Sequence, residues 1–257
     1  KRSRNNPERF EFTQEDAKKL GLLTSEINEG TAKIAGFREL VTEKIVKRMN
    51  DLGYSVEFKR LNAADYGVPQ KRQRVFFIGT RYPVDIFFPE PTHAEIGTML
   101  LGGKKLHKWI SVKQAIGDLK NIPEDLSFNH VFTNHNAEFM EKIKQTPTGQ
   151  SVFSGYSDAF FRCLPDEPSR TVKENHGGVL VHYEKNRVMT PRELARLQSF
   201  PDDFTFEGSK SNILKQIGNA VPPRLAEAVA LSVSNMLNEI SKIESSPGIR
   251  QYALIRA

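Results

Sequence analysis

Cysteine is almost absent. Cys163 is the single one in 257 residues, which excludes an internal disulfide framework and fits a reducing compartment. No apolar run approaches the length that a bilayer-spanning helix needs, and no signal peptide is expected at the start. His130 and His135 invite a metal reading, but no cysteine or second ligand pair joins them at a zinc spacing, so no metal site is expected. Acidic residues are outnumbered, 31 against 37 Lys and Arg, a net charge of +6. That excess favours a polyanionic partner such as DNA without establishing one. What remains, 38% hydrophobic and 26% charged, is the make-up of an ordinary globular protein with room for one large or two small domains.

Residues 1–36 read as a loop with a short helix at most. From Phe37 a stripe recurs every four residues through Val41, Ile45 and Met49, with Lys44, Lys47 and Arg48 off it. This predicts an amphipathic helix stopped by Gly53. Tyr54, Val56 and Phe58 alternate with polar residues and predict a half-buried strand. Val75–Gly79 is uniformly apolar and predicts a strand covered on both faces. Between the strands, Asn62–Arg74 reads Asn-Ala-Ala-Asp-Tyr-Gly-Val-Pro-Gln-Lys-Arg-Gln-Arg. Gly67 and Pro69 mark a loop. Gln70, Arg72 and Arg74 follow at period two and can project from one face. Either this is a solvated basic loop, or the guanidinium pair faces a phosphate or a base carbonyl.

Residues 82–186 change texture, with Pro83, Pro89, Pro91 and Gly102-Gly103 punctuating short strands and loops. Trp109–Leu119 predicts a short helix capped by Ser111. Between Gly149 and Val181, short strands with Gly-rich polar tips present amides and hydroxyls, the groups that read base edges. A plain solvated hairpin would look the same.

Residues 187–224 carry the clearest local signals. Thr190 is an N-cap, Pro191 suits the first helical position, Glu193 completes a capping box, and Met189 with Leu194 forms a hydrophobic staple. Ser199-Phe200-Pro201 stops that helix. A second helix, about 211–217, is expected to end on Gly218 as its C-cap. Gly218-Asn219-Ala220-Val221-Pro222-Pro223 then either is a tight connection or lets a ligand approach the backbone. A final helix carries Leu225, Val229, Val233, Met236 and Ile240 as its apolar stripe.

These stretches resemble motifs of the cytosine-5 DNA methyltransferases: Asn-Ala-x-Asp-Tyr-Gly-Val-Pro-Gln-x-Arg-x-Arg at 62–74, Arg-Glu-x-Ala-Arg-x-x-x-Phe-Pro-Asp at 192–202, and Gln-x-Gly-Asn-Ala-Val-Pro-Pro at 216–223. The resemblance implies an α/β fold. It would be the C-terminal part of a doubly wound S-adenosylmethionine-dependent methyltransferase sheet, with an inserted small mixed α/β target-recognition domain. The expected organisation is 1–81 as the end of the catalytic domain and 82–186 as the recognition domain. Residues 187–241 would form the brace and terminal helix, and 242–257 a tail. It implies that Arg74 holds a flipped cytosine and its flanking phosphate, with Gln70 and Arg72 supporting the loop. Gly218, Asn219, Ala220 and Val221 would line the S-adenosyl-L-methionine pocket. Thr171-Val172 fits the family's Thr-aliphatic pair between recognition loops, which places Tyr156, Ser157, Arg162, Thr171, Lys173, Asn175 and His176 near bases or phosphates of double-stranded DNA. A bacterial, cytoplasmic, nucleoid-associated restriction-modification role follows from the same resemblance.

Three of the family's parts are not found: the Pro-Cys nucleophile, Glu-Asn-Val, and the Phe-x-Gly-x-Gly cofactor turn. Cys163 follows Arg162 inside the recognition region and reads as a structural or idle thiol. The first reading is therefore a C-terminal subunit or fragment, inactive alone, whose partner is the N-terminal half of the methyltransferase. It predicts an exposed apolar face over residues 37–80. A stand-alone DNA-binding module and a degenerate interaction protein are the other two readings.

Overall fold

The computed structural model describes residues 31–99, 105–153, 160–174 and 180–245. Tyr156, Ser157, Asn175 and His176, expected at the recognition tips, lie outside the described residues.

Helix α1 runs Thr31–Asp51, six residues earlier than its apolar stripe begins, so 31–36 are helical and not loop. Gly53 adopts φ 83° and its amide reaches Asn50 O at 2.9 Å, turning the chain out of the helix. Strands β1 (Ser55–Asn62) and β2 (Gln73–Thr80) pair as a two-stranded sheet. A second sheet orders β3 (His93–Ala94), β5 (Lys105–Lys108) and β4 (Thr98–Met99), with β5 central. Helices follow: α2 (Val112–Ile116), α3 (Ala137–Gln145), α4 (Pro191–Leu197), α5 (Lys210–Asn219) and α6 (Pro223–Ser245).

By internal contact the described residues form two compact units. The smaller holds the described part of Lys1–Glu57 with Ile78–Pro83; the larger holds Phe58–Phe77 with the described part of Val84–Ala257. This division is coarser than the four segments expected from the sequence. In the smaller unit a Cβ on Gly79 would sit 3.0 Å from Met49 and 3.1 Å from Val56, so the helix packs directly on that strand end. Val41 and Ile45, on the stripe of α1, stay 40% and 36% exposed.

The larger unit gathers its main core from α2, α4, α5 and the 160–189 region. Val112, Ile116, Phe161, Cys163, Val172, Leu180, Met189, Leu194, Leu197 and Ile217 are all buried together. The expected recognition region and its brace thus share one apolar interior. A second cluster sets Leu61, Tyr66, Val68 and Phe76 against Leu225 and Val229 of α6.

The expectation that β2 is covered on both faces is corrected. Val75 is 45% exposed and Phe58, its ring 5.5 Å from that of Phe77, is 51% exposed. The sheet has two strands among the described residues, and the Val75 end of its apolar run is only partly covered.

Candidate functional site

The loop between β1 and β2 is anchored before it reaches its charged end. A 3-10 turn, Ala63–Tyr66, closes on Gly67 at φ 77°. A side chain there would be strained by that φ and would meet His93 at 2.8 Å. Trp109 Nε1 donates to Asp65 Oδ1 at 2.9 Å, and Tyr66 Oη donates to Pro89 O at 2.9 Å. Burial first, then the charges of Asp65 and Glu90, push the Tyr66 hydroxyl up to about 12.

Beyond that anchor the chain runs beside the Ser169–Glu174 loop. Lys71 N donates to Ser169 O at 2.8 Å, Ser169 N to Pro69 O at 3.0 Å, and Thr171 Oγ1 to Lys71 O at 3.0 Å. Gln70 is fully buried. Its Oε1 accepts from Val172 N at 2.8 Å, while its Nε2 donates to Leu197 O at 3.2 Å and to Gln198 Oε1 at 2.9 Å. Only an amide can accept and donate in this way, which explains the residue type. Gln198 passes the link on, donating to Ile217 O at 2.7 Å.

Arg72, 4% exposed, donates from NH1 to Val172 O at 2.9 Å and from NH2 to Gly218 O at 3.0 Å. Burial, and secondarily the charge of Arg74, lowers its guanidinium to about 10, so it remains charged at neutral pH. The Thr171-Val172 pair, the Gln70–Arg72 segment and the end of α5 are therefore one buried polar lattice. Arg74 itself is exposed, its NH1 donating to Gln73 O at 2.7 Å.

Gly218 is not the left-handed C-cap expected. α5 continues to Asn219, and Ala220 closes it at φ −63°. The reason for glycine is crowding: a Cβ would lie 2.4 Å from Glu174 N and 2.5 Å from Lys173 C. The neighbour filling that space is the backbone of the Ser169–Glu174 loop. Asn219 is exposed and donates to Glu174 Oε2 at 2.6 Å. Val221, 49% exposed, borders an open apolar groove of about 440 Å³ with Phe76, Val229, Val233 and Leu237.

Helix α4 matches its local signals. Thr190 and Glu193 make the reciprocal capping box, and Arg187 grips Glu193 at 2.7 and 2.8 Å. Arg196 clamps Asp202 at 2.7 and 2.8 Å.

Arg162 departs from its expected place. It is 5% exposed and donates to Ile143 O, His182 O, Lys185 O and, at 2.9 Å, Asn186 Oδ1. A guanidinium turned inward onto carbonyls ties strands together and does not reach a base; one arginine in a run of strand residues carries no mark of which way it points. Lys173 lines an open cavity with Thr171. Cys163 is 1% exposed, and burial pushes its thiol up to about 12, opposite to the shift a thiolate nucleophile needs. Among the described residues no group of three or more His, Cys, Asp or Glu is placed to hold a metal ion.

The sequence profile of the C-5 cytosine-specific DNA methylases matches residues 34–235. The chain belongs to that family. Among named methylases it is 40% identical over 205 residues to the Type II methyltransferase M1.HphI of Haemophilus parahaemolyticus, covering 75% of this chain and 51% of that protein. It is 34% identical over 246 residues to M.BbvI of Brevibacillus brevis, covering 89% and 59%. The chain thus spans between about half and three-fifths of the length of these relatives. A solved Escherichia coli structure, assigned as a prophage-encoded DNA modification methyltransferase, superposes with a TM-score of 0.59 at 23% identity, over 82% of this chain and 67% of that one. That likeness establishes the α/β methyltransferase fold.

The residue of the lattice that sequence reasoning did not single out is Gln198, while Arg192, quoted as the start of the Arg-Glu-x-Ala-Arg motif, turns out to face inward. Arg192 is fully buried and donates to Phe128 O, Pro201 O and Phe204 O at 2.8–3.1 Å. Position gave some signal: Gln198 directly follows the capped helix, where backbone carbonyls and amides need partners.

Proposed function

We propose that this chain is the recognition-bearing C-terminal portion of a DNA (cytosine-5-)-methyltransferase. The enzyme would transfer a methyl group from S-adenosyl-L-methionine to carbon 5 of a cytosine at a specific site in double-stranded DNA, in a restriction-modification system. The observation that carries this reading is Arg72, whose two bonds tie Val172 of the recognition pair to Gly218 of the Gly-Asn turn. It sits two residues before an exposed Arg74.

In this reading the target cytosine leaves the stack, since its ring is unreachable inside the duplex. Arg74 holds the extruded base or its flanking phosphate through its planar donor fork. Gln70 and Arg72 keep that strand entry in register with the recognition loop. Thr171 and Lys173, with Tyr156, Ser157, Asn175 and His176, would face the DNA; Arg162 instead ties Ile143 to the 182–186 turn. The residues at the Gly-Asn turn fit one wall of a cofactor site. Val221 and Phe76 offer an apolar surface and Asn219 an exposed amide, while the space beside Gly218 is taken by protein. S-adenosyl-L-methionine would supply the electrophilic methyl group. The thiolate that adds to the ring has no candidate in Cys163 and belongs to another part of the enzyme. That part would also cover the apolar faces around Val41, Ile45, Phe58 and Val75.

The test is methyl transfer to duplex DNA by this chain mixed with a chain carrying Pro-Cys, Glu-Asn-Val and Phe-x-Gly-x-Gly. Transfer is expected only in the mixture, and Arg74→Ala is expected to lower it by about a hundredfold. Transfer by this chain alone, or full activity in Arg74→Ala together with Asn219→Ala, would overturn the assignment.

A further inference from the structure

Next to the buried lattice lies a concentration of charge that the lattice does not use. A cavity of about 300 Å³ opens between the entry to β2 and the Ser169–Glu174 loop, lined by Lys71, Arg170, Thr171 and Lys173. Of these described residues three are cations and the fourth is a hydroxyl. Its walls are held at fixed spacing, because Lys71 N donates to Ser169 O and Thr171 Oγ1 to Lys71 O. The Arg170 guanidinium lies 3.6 Å from the centroid of Phe161, a ring only 6% exposed, which fixes the plane of its donors. Lys71 is held at its tip by Glu167, Nζ to Oε2 3.0 Å, with both side chains about half exposed.

We infer that Lys71, Arg170 and Lys173 form a pocket for one backbone phosphate of duplex DNA, and that Glu167 occupies Lys71 until the phosphate displaces it. This rests on the DNA-methylation reading above. Three cations around an open space of this size suit a tetrahedral phosphodiester whose sugars continue past the rim. A pocket whose walls are tied to Gln70 and Val172 would set the register of the strand relative to Arg74. The Lys71–Glu167 pair is solvent-exposed, so exchanging the carboxylate for a phosphate has a low barrier.

The experiment measures affinity of the full chain for a short duplex between about 50 and 200 mM salt. In the triple variant Lys71→Gln/Arg170→Gln/Lys173→Gln, the slope of log K against log salt is expected to shrink by about 0.9, the value for one phosphate. A change about three times as large would mean three separate contacts and would overturn the single pocket. Glu167→Gln is expected to tighten binding by about two- to fivefold, a gain that misfolding cannot imitate. An unchanged slope in the triple variant, with wild-type binding still salt-dependent, overturns the pocket and leaves the DNA reading standing. Absence of any duplex affinity in the wild-type chain overturns the DNA reading and the pocket with it. Competition by inorganic phosphate at constant ionic strength, lost in the triple variant, would assign the pocket to a free anion instead.

Discussion

The region around Gln70 and Gly218 and the region around Phe58 and the outer face of α6 are finished to different degrees. Around Gln70, Arg72, Val172, Gln198 and Gly218, buried side-chain donors are spent on carbonyls and amides from four separated stretches of chain. Around Phe58, Val75 and the outer face of α6, large apolar side chains face solvent: Phe58 is 51%, Leu231 61% and Leu237 56% exposed. Fold stability therefore resides in the first region. The second leaves large apolar side chains exposed among the described residues, and it is the surface that the proposed function assigns to the rest of the enzyme. Substitutions in the two regions should separate these roles cleanly.

The largest effect is expected at the centre of the lattice. Gln70→Ala removes three hydrogen bonds and leaves Val172 N–H, Leu197 O and Gln198 Oε1 without that partner in a dry interior. At roughly 1–3 kcal/mol for each orphaned group, partly relaxed, the loss is about 4 kcal/mol. Denaturant titration should show a lower midpoint with unchanged slope. A loss below about 1 kcal/mol would mean that the lattice is ornament and that the comparison fails.

A pH titration comes next. His182 is fully buried, its Nδ1 accepting from Glu184 N and Lys185 N at 3.0 Å. Burial, opposed by Glu193 and helped by Arg187, lowers it from 6.5 to about 4. The unfolded chain therefore binds a proton that the folded chain refuses. Stability from this group is fully present above pH 6.5 and falls as pH drops toward about 4, by on the order of 3 kcal/mol. Stability curves at pH 7 and pH 5 should differ in the wild type, and differ less in His182→Gln. Equal differences in both proteins would remove His182 as the cause.

How much of this was legible beforehand depends on how far each interaction reaches along the chain. The capping box of Thr190 and Glu193 and the staple of Met189 and Leu194 span three to five residues. Local sequence specifies them; the structure has the capping box where expected, and buries Met189 and Leu194 in one core. Strands β1 and β2 were legible from alternation and apolar content. The role of Gly218 was not, because the atoms that forbid a side chain there belong to Lys173 and Glu174, over forty residues away. Arg162 and Arg74 look alike as residues in extended segments, yet one is buried under four carbonyl and amide acceptors and the other is exposed. Only the packing of α3 and the 182–186 turn around Arg162 decides that. Family motifs supplied the meaning of Gln70 and Arg72, but the partners that explain their types lie about 100 to 150 residues further on.

Gly218→Ala tests that long-range crowding directly. A methyl group would collide with backbone at 2.4–2.6 Å, and backbone cannot swing aside as a flexible side chain can. Overpacking of this kind costs about 2 kcal/mol. The loop carrying Thr171 and Lys173 should also move, so duplex affinity is expected to drop along with Tm. A drop in Tm with affinity untouched would mean that the loop's position does not matter for DNA.

The smallest stability effect is expected on the other side of the comparison, and there the second readout carries the weight. Phe58 touches Phe77 but is half exposed, so Phe58→Ser should change stability by no more than about 0.5 kcal/mol. Leu237→Ser, on the exposed side of α6, should behave likewise. Both removals delete half-exposed apolar area, one beside Phe77 and one in the groove with Phe76 and Val221. If that face exists to receive the rest of the methyltransferase, the double variant should keep its fold and lose association with the chain bearing Pro-Cys, measured as a weakened Kd and as lost methyl transfer at limiting concentration. Buried hot-spot side chains of this size commonly carry more than about 1 kcal/mol of binding each, so the pair should weaken association by roughly tenfold or more. A double variant that unfolds would show the face to be core, and one that folds and associates undiminished would show it to be idle surface. Either result would remove the distinction between the two sides of the molecule.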